Sequence, residues 1–233
     1  MTKEEIIWGK NMELESMIDR LEKEIKHMFS LDSRGHDIYH LKRTLNIAIH
    51  IQEKEGGDKI VIAISSFLHD IHRIIQNETM EYCPPKNSLA KVEEIIRKTG
   101  INLSEEQLKM VLHCIEYHEE YSFTEIGKTV NDIETLILQD ADNLDAIGAV
   151  GIARTFTYGG ANKMPMWNNE LPKGKEKYED KLSDVSTIHH FCGKLLKLKD
   201  NMNTETAMEM AIHRHKIMES FLNEFFAEWE GKT

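Results

Sequence analysis

Residues 65–77 read SSFLHDIHRIIQN, and they follow the apolar run Val61–Ile64 without interruption. His69 and Asp70 therefore stand side by side where the hydrophobic pattern calls for Leu or Val. Buried polar groups need partners, and hydrogen bonds to neighbouring groups would satisfy one such pair inside a helix. A second doublet, His36-Asp37, shows that the signal is weak when it is taken alone.

Helix start and stop signals surround this stretch, whereas sustained alternation of apolar and polar residues is missing from the sequence. Ser104-Glu105-Glu106-Gln107 and Thr2-Lys3-Glu4-Glu5 are capping boxes, and Asp58 is placed to cap the helix that carries the doublet. We predict an all-α fold in a single helical domain over residues 1–233. The predicted helices span residues 2–25, 36–55, 58 through the stretch at 65–77 with the doublet inside it, 89–99, 104–118, 132–158 as one or two helices, 186–200 and 204–229.

Residues 162–184 contain Pro165, Pro172, Gly174 and a run of charges, so we predict a long surface loop there. A disordered insertion and an active-site lid are both compatible with this composition.

The composition excludes several functional classes. The net charge is −11 and Lys and Arg are scattered among more numerous acids, which disfavours a nucleic-acid partner. No apolar run approaches the roughly 18 residues of a membrane span, and the N-terminus has no signal-peptide pattern. Three widely spaced cysteines indicate a reducing compartment, so a cytoplasmic location is expected.

Polar residues interrupt the apolar faces of several predicted helices. In a helix bundle these faces converge, and metal sites are built there from facing helices. His69 and Asp70 can therefore share one ion with a histidine and an aspartate from other helices. The further candidates are His36, His40, His113, His118, Asp140, Asp142 and Asp145.

Four separated blocks of the sequence resemble the HD superfamily of metal-dependent phosphohydrolases, and in particular its bacterial YpgQ/YedJ-like branch. The similarity covers most of residues 30–230 and preserves the order of the blocks. They are GHDIYHLKRTLNIA, FLHDI, QDADNLDAIGAVGIARTFTYGG and STIHHFCGKLLKLKDNMNTETA. The resemblance implies that the domain is an HD-type helical bundle.

By position, the resemblance assigns four metal ligands, namely His40, His69, Asp70 and Asp142. This mixed set of nitrogen and oxygen ligands suits Mn²⁺, Fe²⁺, Co²⁺, Ni²⁺ or Zn²⁺ better than Ca²⁺; Mg²⁺ is also considered, and Mn²⁺ is favoured. The chain departs from the family pattern at Asn143, where the family usually has Arg, and at His72, where a small residue is common.

The remaining site residues are assigned by their chemistry. Asp70, His118 and His113 are the catalytic candidates, because a ligand carboxylate sets the acidity of a metal-bound water and histidine titrates near neutral pH. His36 is expected to face the substrate or to support a ligand. Arg154, Lys194 and Arg214 are candidates for phosphate binding. For each of these three basic residues, the alternative to phosphate binding is an ordinary solvent-exposed position on a helix.

These assignments predict an enzyme, a metal-dependent phosphohydrolase acting on a small phosphorylated substrate. The resemblance implies a nucleoside triphosphate that is cleaved to a monophosphate and pyrophosphate. The alternatives are a phosphomonoesterase, a cyclic-nucleotide phosphodiesterase and a module that senses nucleotides without turnover. No membrane or nucleic-acid polymer is expected as a partner, and a monomer and a homodimer are both left open.

Overall fold

The computed structural model describes residues 3–29, 35–119, 130–168 and 185–233. Every regular element in these ranges is helical and none is a strand, which confirms the prediction of an all-α fold. None of the helices in the described ranges is long and apolar enough to cross a membrane. Contacts within the chain divide the described residues into two compact units.

The first unit comprises residues 3–29, 36–119 and 130–138 of the described chain. A 3-10 turn at Pro85–Ser88 fills the break predicted at the paired prolines. The helices are α1 (Lys3–Ile25), α2 (Ile38–Glu55), α3 (Lys59–Leu68), α4 (Ile71–Thr79), α5 (Leu89–Lys98), α6 (Glu105–Tyr117) and the beginning of α7 (Ile133–Asp145).

The helix ends of the first unit follow the local signals in the sequence. The Asp58 side chain accepts hydrogen bonds from the Ile60 and Val61 amides at the start of α3. Ser104 and Gln107 form the predicted capping box of α6. Asp37 caps α2 through the amide of His40. The capping box at the N-terminus includes residue 2, which lies outside the described residues.

Helix α3 lies at the centre of the first unit and packs against α2 and α6. Its residues 61–68 are all buried, so this part of the helix has no solvent face, and its apolar side chains are interrupted by Ser65 and Ser66. Phe67 and Leu68 are fully buried in the hydrophobic core. This packing fixes the end of α3, where the His-Asp doublet begins.

The doublet lies between two helices, and the prediction that it lies inside one helix was wrong. Helix α3 ends at Leu68, α4 begins at Ile71, and Asp70 has φ −90° and ψ 13°. The Asp70 carboxylate does not cap α4 but accepts a hydrogen bond from His36. At the break between the two helices, the Asp70 side chain therefore contacts a residue distant in the sequence.

The second unit comprises Gly35, residues 139–168 and residues 185–233 of the described chain. It contains the end of α7, α8 (Gly148–Ala161), α9 (Thr187–Gly193), a 3-10 helix at Leu195–Asn201 and α10 (Glu205–Trp229). The segment predicted as one helix over 186–200 is therefore a short α-helix followed by a 3-10 helix. Of the predicted loop, residues 162–168 are irregular and 169–184 lie outside the described residues.

The predicted helical segment over 132–158 consists of two helices, α7 and α8, and extends to Ala161. Gly148, the first residue of α8, has φ +79°, a conformation that glycine adopts at little cost. A Cβ atom at this position would lie 2.9 Å from the Arg214 side chain. Sterics and backbone conformation together therefore explain glycine at this bend.

None of the three cysteines, all of which lie in the described ranges, forms a disulfide, and they should differ in reactivity. Cys114 is fully buried, and burial raises the pKa of its thiol to about 12. Cys192 is half-buried. Because the thiolate is the reactive form, we expect iodoacetamide at pH 8 to modify Cys192 long before Cys114. Mass spectrometry of peptides over time measures this order, and equal rates in the folded protein would contradict it.

Candidate metal centre

Three potential ligand atoms converge at the junction of α3 and α4. The His40 Nε2 atom lies 3.2 Å from His69 Nε2 and 3.3 Å from the Asp70 Oδ2 atom. His69 Nε2 and Asp70 Oδ2 are 3.6 Å apart. Ligands at about 2.1 Å from a tetrahedral metal are separated by roughly 3.4 Å. The three atoms therefore form a triangle of the size that a divalent ion requires.

A hydrogen bond made by His69 determines which of its ring nitrogens presents a lone pair to this triangle. Its Nδ1 atom lies 2.9 Å from the Ser66 carbonyl oxygen, to which it donates. In neutral His69 the Nε2 atom therefore carries the lone pair, which is the form that binds metal. His69 and His40 are fully buried, and their Nε2 atoms face each other over 3.2 Å.

Asp70 is held in its ionised form by its neighbours. Burial by itself raises the pKa of this carboxyl, but the adjacent His69 and His36 lower it well below its usual range. His36 Nδ1 donates to Asp70 Oδ2 over 2.7 Å. The His36 side chain is about one-third exposed, at 32%. This contact is consistent with the predicted supporting role for His36.

Histidine side chains continue beyond the triangle in one row. Successive ring centroids lie 5.3, 5.2, 5.2 and 5.4 Å apart, in the order His36, His40, His69, His118 and His72. The structure thus brings His118, predicted as a catalytic residue, beside the doublet. His118 is buried, and its Nδ1 atom donates to the Ile115 carbonyl oxygen over 2.7 Å.

Glu119 is a polar residue of this region that the sequence reasoning missed. It follows the C-terminal end of α6, and its carboxylate contacts the Arg73 guanidinium. Burial would raise the pKa of Glu119, but His72, His118 and Arg73 lower it to about 2. The signal in the sequence is a His-Glu doublet, His118-Glu119, which parallels the His-Asp doublet.

His113 is not part of the histidine row. Its Nε2 atom lies 3.1 Å from the Asp132 Oδ2 atom, and its ring packs against Tyr117. Asp132 also accepts a hydrogen bond from the Thr135 amide at the start of α7. These contacts suit a helix-capping pair, and a catalytic role for His113 stays a prediction.

Replacing Asp132 should reveal this cap. We expect Asp132→Ala to lower the free energy of unfolding by about 1 kcal/mol near neutral pH. Burial opposes ionisation, but Thr135 and His113 bring the pKa of Asp132 below 3.8. A depressed pKa stabilises the fold above the unfolded pKa and loses that contribution as pH falls through the folded pKa. The difference between wild type and variant should therefore shrink below about pH 4, as urea unfolding at several pH values can measure.

The predicted fourth ligand, Asp142, lies on α7 in the second unit and is half-buried. Its assignment stays a prediction. Asp140 instead holds the residues that precede α10, since its carboxylate accepts hydrogen bonds from the amides of Asn203 and Thr204, and Thr204 is the N-cap of that helix. Burial raises the pKa of Asp140 despite these hydrogen bonds. Asp145 is buried and accepts a 2.6 Å hydrogen bond from Arg154.

The three predicted phosphate-binding cations have different surroundings within the second unit. Arg154 connects α8 to Asp145 at the end of α7. Arg214 Nη1 donates to the Leu144 carbonyl oxygen over 2.5 Å, and burial lowers the pKa of its guanidinium. Lys194 is exposed at the C-terminal end of α9. Both arginines thus contact the α7–α8 junction, while their binding of phosphate stays a prediction.

The chain is similar to known proteins over most of its length. The HD-domain profile matches residues 37–147, a range that contains the candidate ligands His40, His69 and Asp70. YpgQ of Bacillus subtilis, a protein described as uncharacterized, is 34% identical over 210 residues, which cover 89% of this chain and 91% of YpgQ.

Two solved structures extend the likeness over nearly the whole chain. An HD-superfamily hydrolase from Bacillus thuringiensis is 34% identical, with a TM-score of 0.67, and the match covers 95% of this chain and 98% of that protein. Bacillus subtilis YpgQ in complex with ADP is 29% identical, with a TM-score of 0.71, over 93% and 96% of the two chains.

Proposed function

Because this chain belongs to the HD-domain family, we propose that it is a metal-dependent phosphohydrolase that cleaves nucleoside triphosphates to monophosphate and pyrophosphate. The observation that carries the proposal is the buried triangle of His40 Nε2, His69 Nε2 and Asp70 Oδ2. Two imidazole nitrogens and a carboxylate this close together inside a protein need a proton or a cation between them, and one divalent ion would satisfy all three atoms at once.

His40, His69, Asp70 and Asp142 would hold the ion, with Mn²⁺ as the proposed metal. A divalent ion at this position lowers the pKa of a bound water and neutralises phosphate oxygens. The two carboxylates of this set balance the charge of the ion, and the hydrogen bond from His36 orients Asp70. Oriented ligands of this kind strengthen metal sites.

Proton transfer during hydrolysis is assigned to His118. Its Nδ1 atom is committed to the Ile115 carbonyl oxygen, so Nε2 is the atom that exchanges a proton. His118 and the doublet side chains His69 and Asp70 each offer a ligand atom, and these atoms lie within 4.8 Å of one another. That separation is suitable for a general acid or base next to a phosphate bound at the ion.

Two observations support the choice of a nucleotide substrate: a relative has been crystallised with ADP, and this chain offers basic side chains for the phosphates. The YpgQ structure with ADP concerns a protein 29% identical to this chain, and ADP carries the polyphosphate and nucleoside that the proposal requires. Lys194, Arg154 and Arg214 are proposed to contact the phosphate tail. Charge-assisted hydrogen bonds of this type are about twice as strong as neutral ones.

A product screen tests the proposal. The purified full chain is treated with chelator, reloaded with Mn²⁺, Co²⁺, Zn²⁺ or Mg²⁺, and incubated with nucleoside triphosphates, monophosphates and cyclic nucleotides. We expect pyrophosphate and a monophosphate from a triphosphate only with added metal. Release of inorganic phosphate alone would indicate a phosphomonoesterase, opening of the cyclic ring a phosphodiesterase, and binding without product a sensor.

A further inference from the structure

Arg73 lies beside the candidate metal centre, next to the carboxylate of Asp70. It is on α4, three positions after Asp70, and its Nε atom lies 3.7 Å from the Asp70 Oδ1 atom. The other oxygen of that carboxylate, Oδ2, belongs to the triangle with His40 and His69. One oxygen of Asp70 therefore faces the candidate ligands, and the other faces the Arg73 guanidinium.

A second carboxylate holds the Arg73 side chain in this position. The Arg73 Nη2 group donates to the Glu119 Oε1 atom, although the two residues are 46 positions apart. Both side chains are partly exposed, at 27% for Arg73 and 23% for Glu119, and both residues belong to the first unit. The guanidinium therefore has a fixed place that solvent can reach.

The chemistry of the guanidinium allows it to bind two anionic groups at once. Its separation of 3.7 Å from Asp70 is too long for a hydrogen bond, so the attraction between these two groups is electrostatic. A guanidinium carries five N–H donors in a planar fork, and this fork matches the oxygens of a phosphate as well as those of a carboxylate. Arg73 can therefore keep its contact with Glu119 and donate to a phosphate oxygen at the same time.

Local positive charge is needed at this site because the chain as a whole repels polyphosphates. The net charge is −11, and the Asp70 and Glu119 carboxylates add negative charge at the candidate site itself. A fixed cation in contact with both carboxylates offsets this repulsion at short range, where salt screens it least. Because Glu119 already restricts the side chain of Arg73, binding also costs less conformational freedom than it would for a mobile surface arginine.

We propose that Arg73 binds a phosphate group of the substrate at the candidate metal centre, with Glu119 as the residue that positions it. This inference rests on the proposed phosphohydrolase function, since it requires phosphate oxygens at the triangle. It gives the first unit a phosphate-binding cation of its own, in addition to the three basic residues of the second unit. The competing interpretation is an ion pair that only neutralises Asp70 and Glu119, and it predicts that phosphate affinity does not depend on Arg73.

Binding of pyrophosphate, the proposed product, tests this role. Equilibrium dialysis measures the affinity of the full chain for labelled pyrophosphate at saturating Mn²⁺, and circular dichroism checks that each variant is folded. We expect Arg73→Gln to weaken binding by about tenfold or more, the usual effect of losing a charge-assisted hydrogen bond. Arg73→Lys keeps the charge but not the planar fork, so its affinity should lie between those of the wild type and Arg73→Gln.

Glu119→Gln separates positioning from direct contact. It should weaken pyrophosphate binding in the wild-type background and cause no further loss in the Arg73→Gln background, because Glu119 acts through Arg73. The matched control is Arg97→Gln, since Arg97 also pairs with a glutamate on a helix of the first unit and its side chain is 74% exposed. This control should bind pyrophosphate as the wild type does.

The possible outcomes separate this inference from the function on which it rests. Wild-type affinity in either Arg73 variant would overturn the inference, and a loss in Arg73→Lys as large as in Arg73→Gln would do the same, because charge would then contribute nothing. Additive losses for Glu119→Gln and Arg73→Gln would contradict the positioning role of Glu119. Pyrophosphate binding that depends on Arg73, combined with no triphosphate turnover with any metal, would instead overturn the proposed function.

Discussion

Asp70→Ala is expected to abolish phosphohydrolase activity, by about a hundredfold or more, while the protein stays folded. The change removes one of three converging ligand atoms and the acceptor for His36. It also removes a negative charge that offsets the ion, and several kcal/mol of transition-state stabilisation depend on that ion. Each 1.36 kcal/mol corresponds to a tenfold change in rate.

The measurement compares turnover at saturating metal with the helical circular dichroism signal. Asp200→Ala is a suitable control, because its carboxylate is 71% exposed in an ion pair with Lys199 and such pairs contribute little stability. Activity close to wild type in a folded Asp70→Ala protein would show that Asp70 is not a ligand required for catalysis.

Arg154→Ala is expected to lower the free energy of unfolding by about 3 kcal/mol. The Arg154 side chain is 17% exposed, and its 2.6 Å ion pair with Asp145, which is 1% exposed, joins α8 to the end of α7. Removing one member of a buried ion pair typically costs 3–5 kcal/mol, because the remaining charge keeps its desolvation cost.

Urea unfolding of single and double variants isolates this ion pair. Asp145→Asn combined with Arg154→Ala should recover a large part of the loss, since no buried carboxylate is then left with a missing cation. A loss below about 0.5 kcal/mol for Arg154→Ala would instead place the pair among ordinary surface interactions.

The proposed substrate role of Arg154 makes a separate prediction about KM. If Arg154 contacts the phosphate tail, its replacement should raise KM for a triphosphate by about tenfold and change KM for a small phosphoester much less. Equal changes in KM for both substrates would indicate that Arg154 only stabilises the α7–α8 junction and does not contact the phosphate tail. Lys194→Ala supplies a comparison, since Lys194 is exposed and its loss leaves that junction intact.

The sequence by itself determined most helix positions, because the interactions that start and stop helices are local. Asp58 and Ser104 accept hydrogen bonds from amides two or three residues away, so their signals are visible in a few consecutive letters. The chemistry of the proposed ligands was also visible, since His69 and Asp70 interrupt an apolar run where a core residue is expected.

Only the tertiary structure decided how these residues are used. The helix breaks at the doublet, and Asp70 meets His36 from 34 positions away. Arg73 meets Glu119 from 46 positions away. Such contacts depend on which helix faces pack together, and periodicity along one helix carries no information about its partner. For the same reason, the sequence offered both His113 and His118 as catalytic candidates, while packing placed His113 beside Asp132 and His118 beside His69.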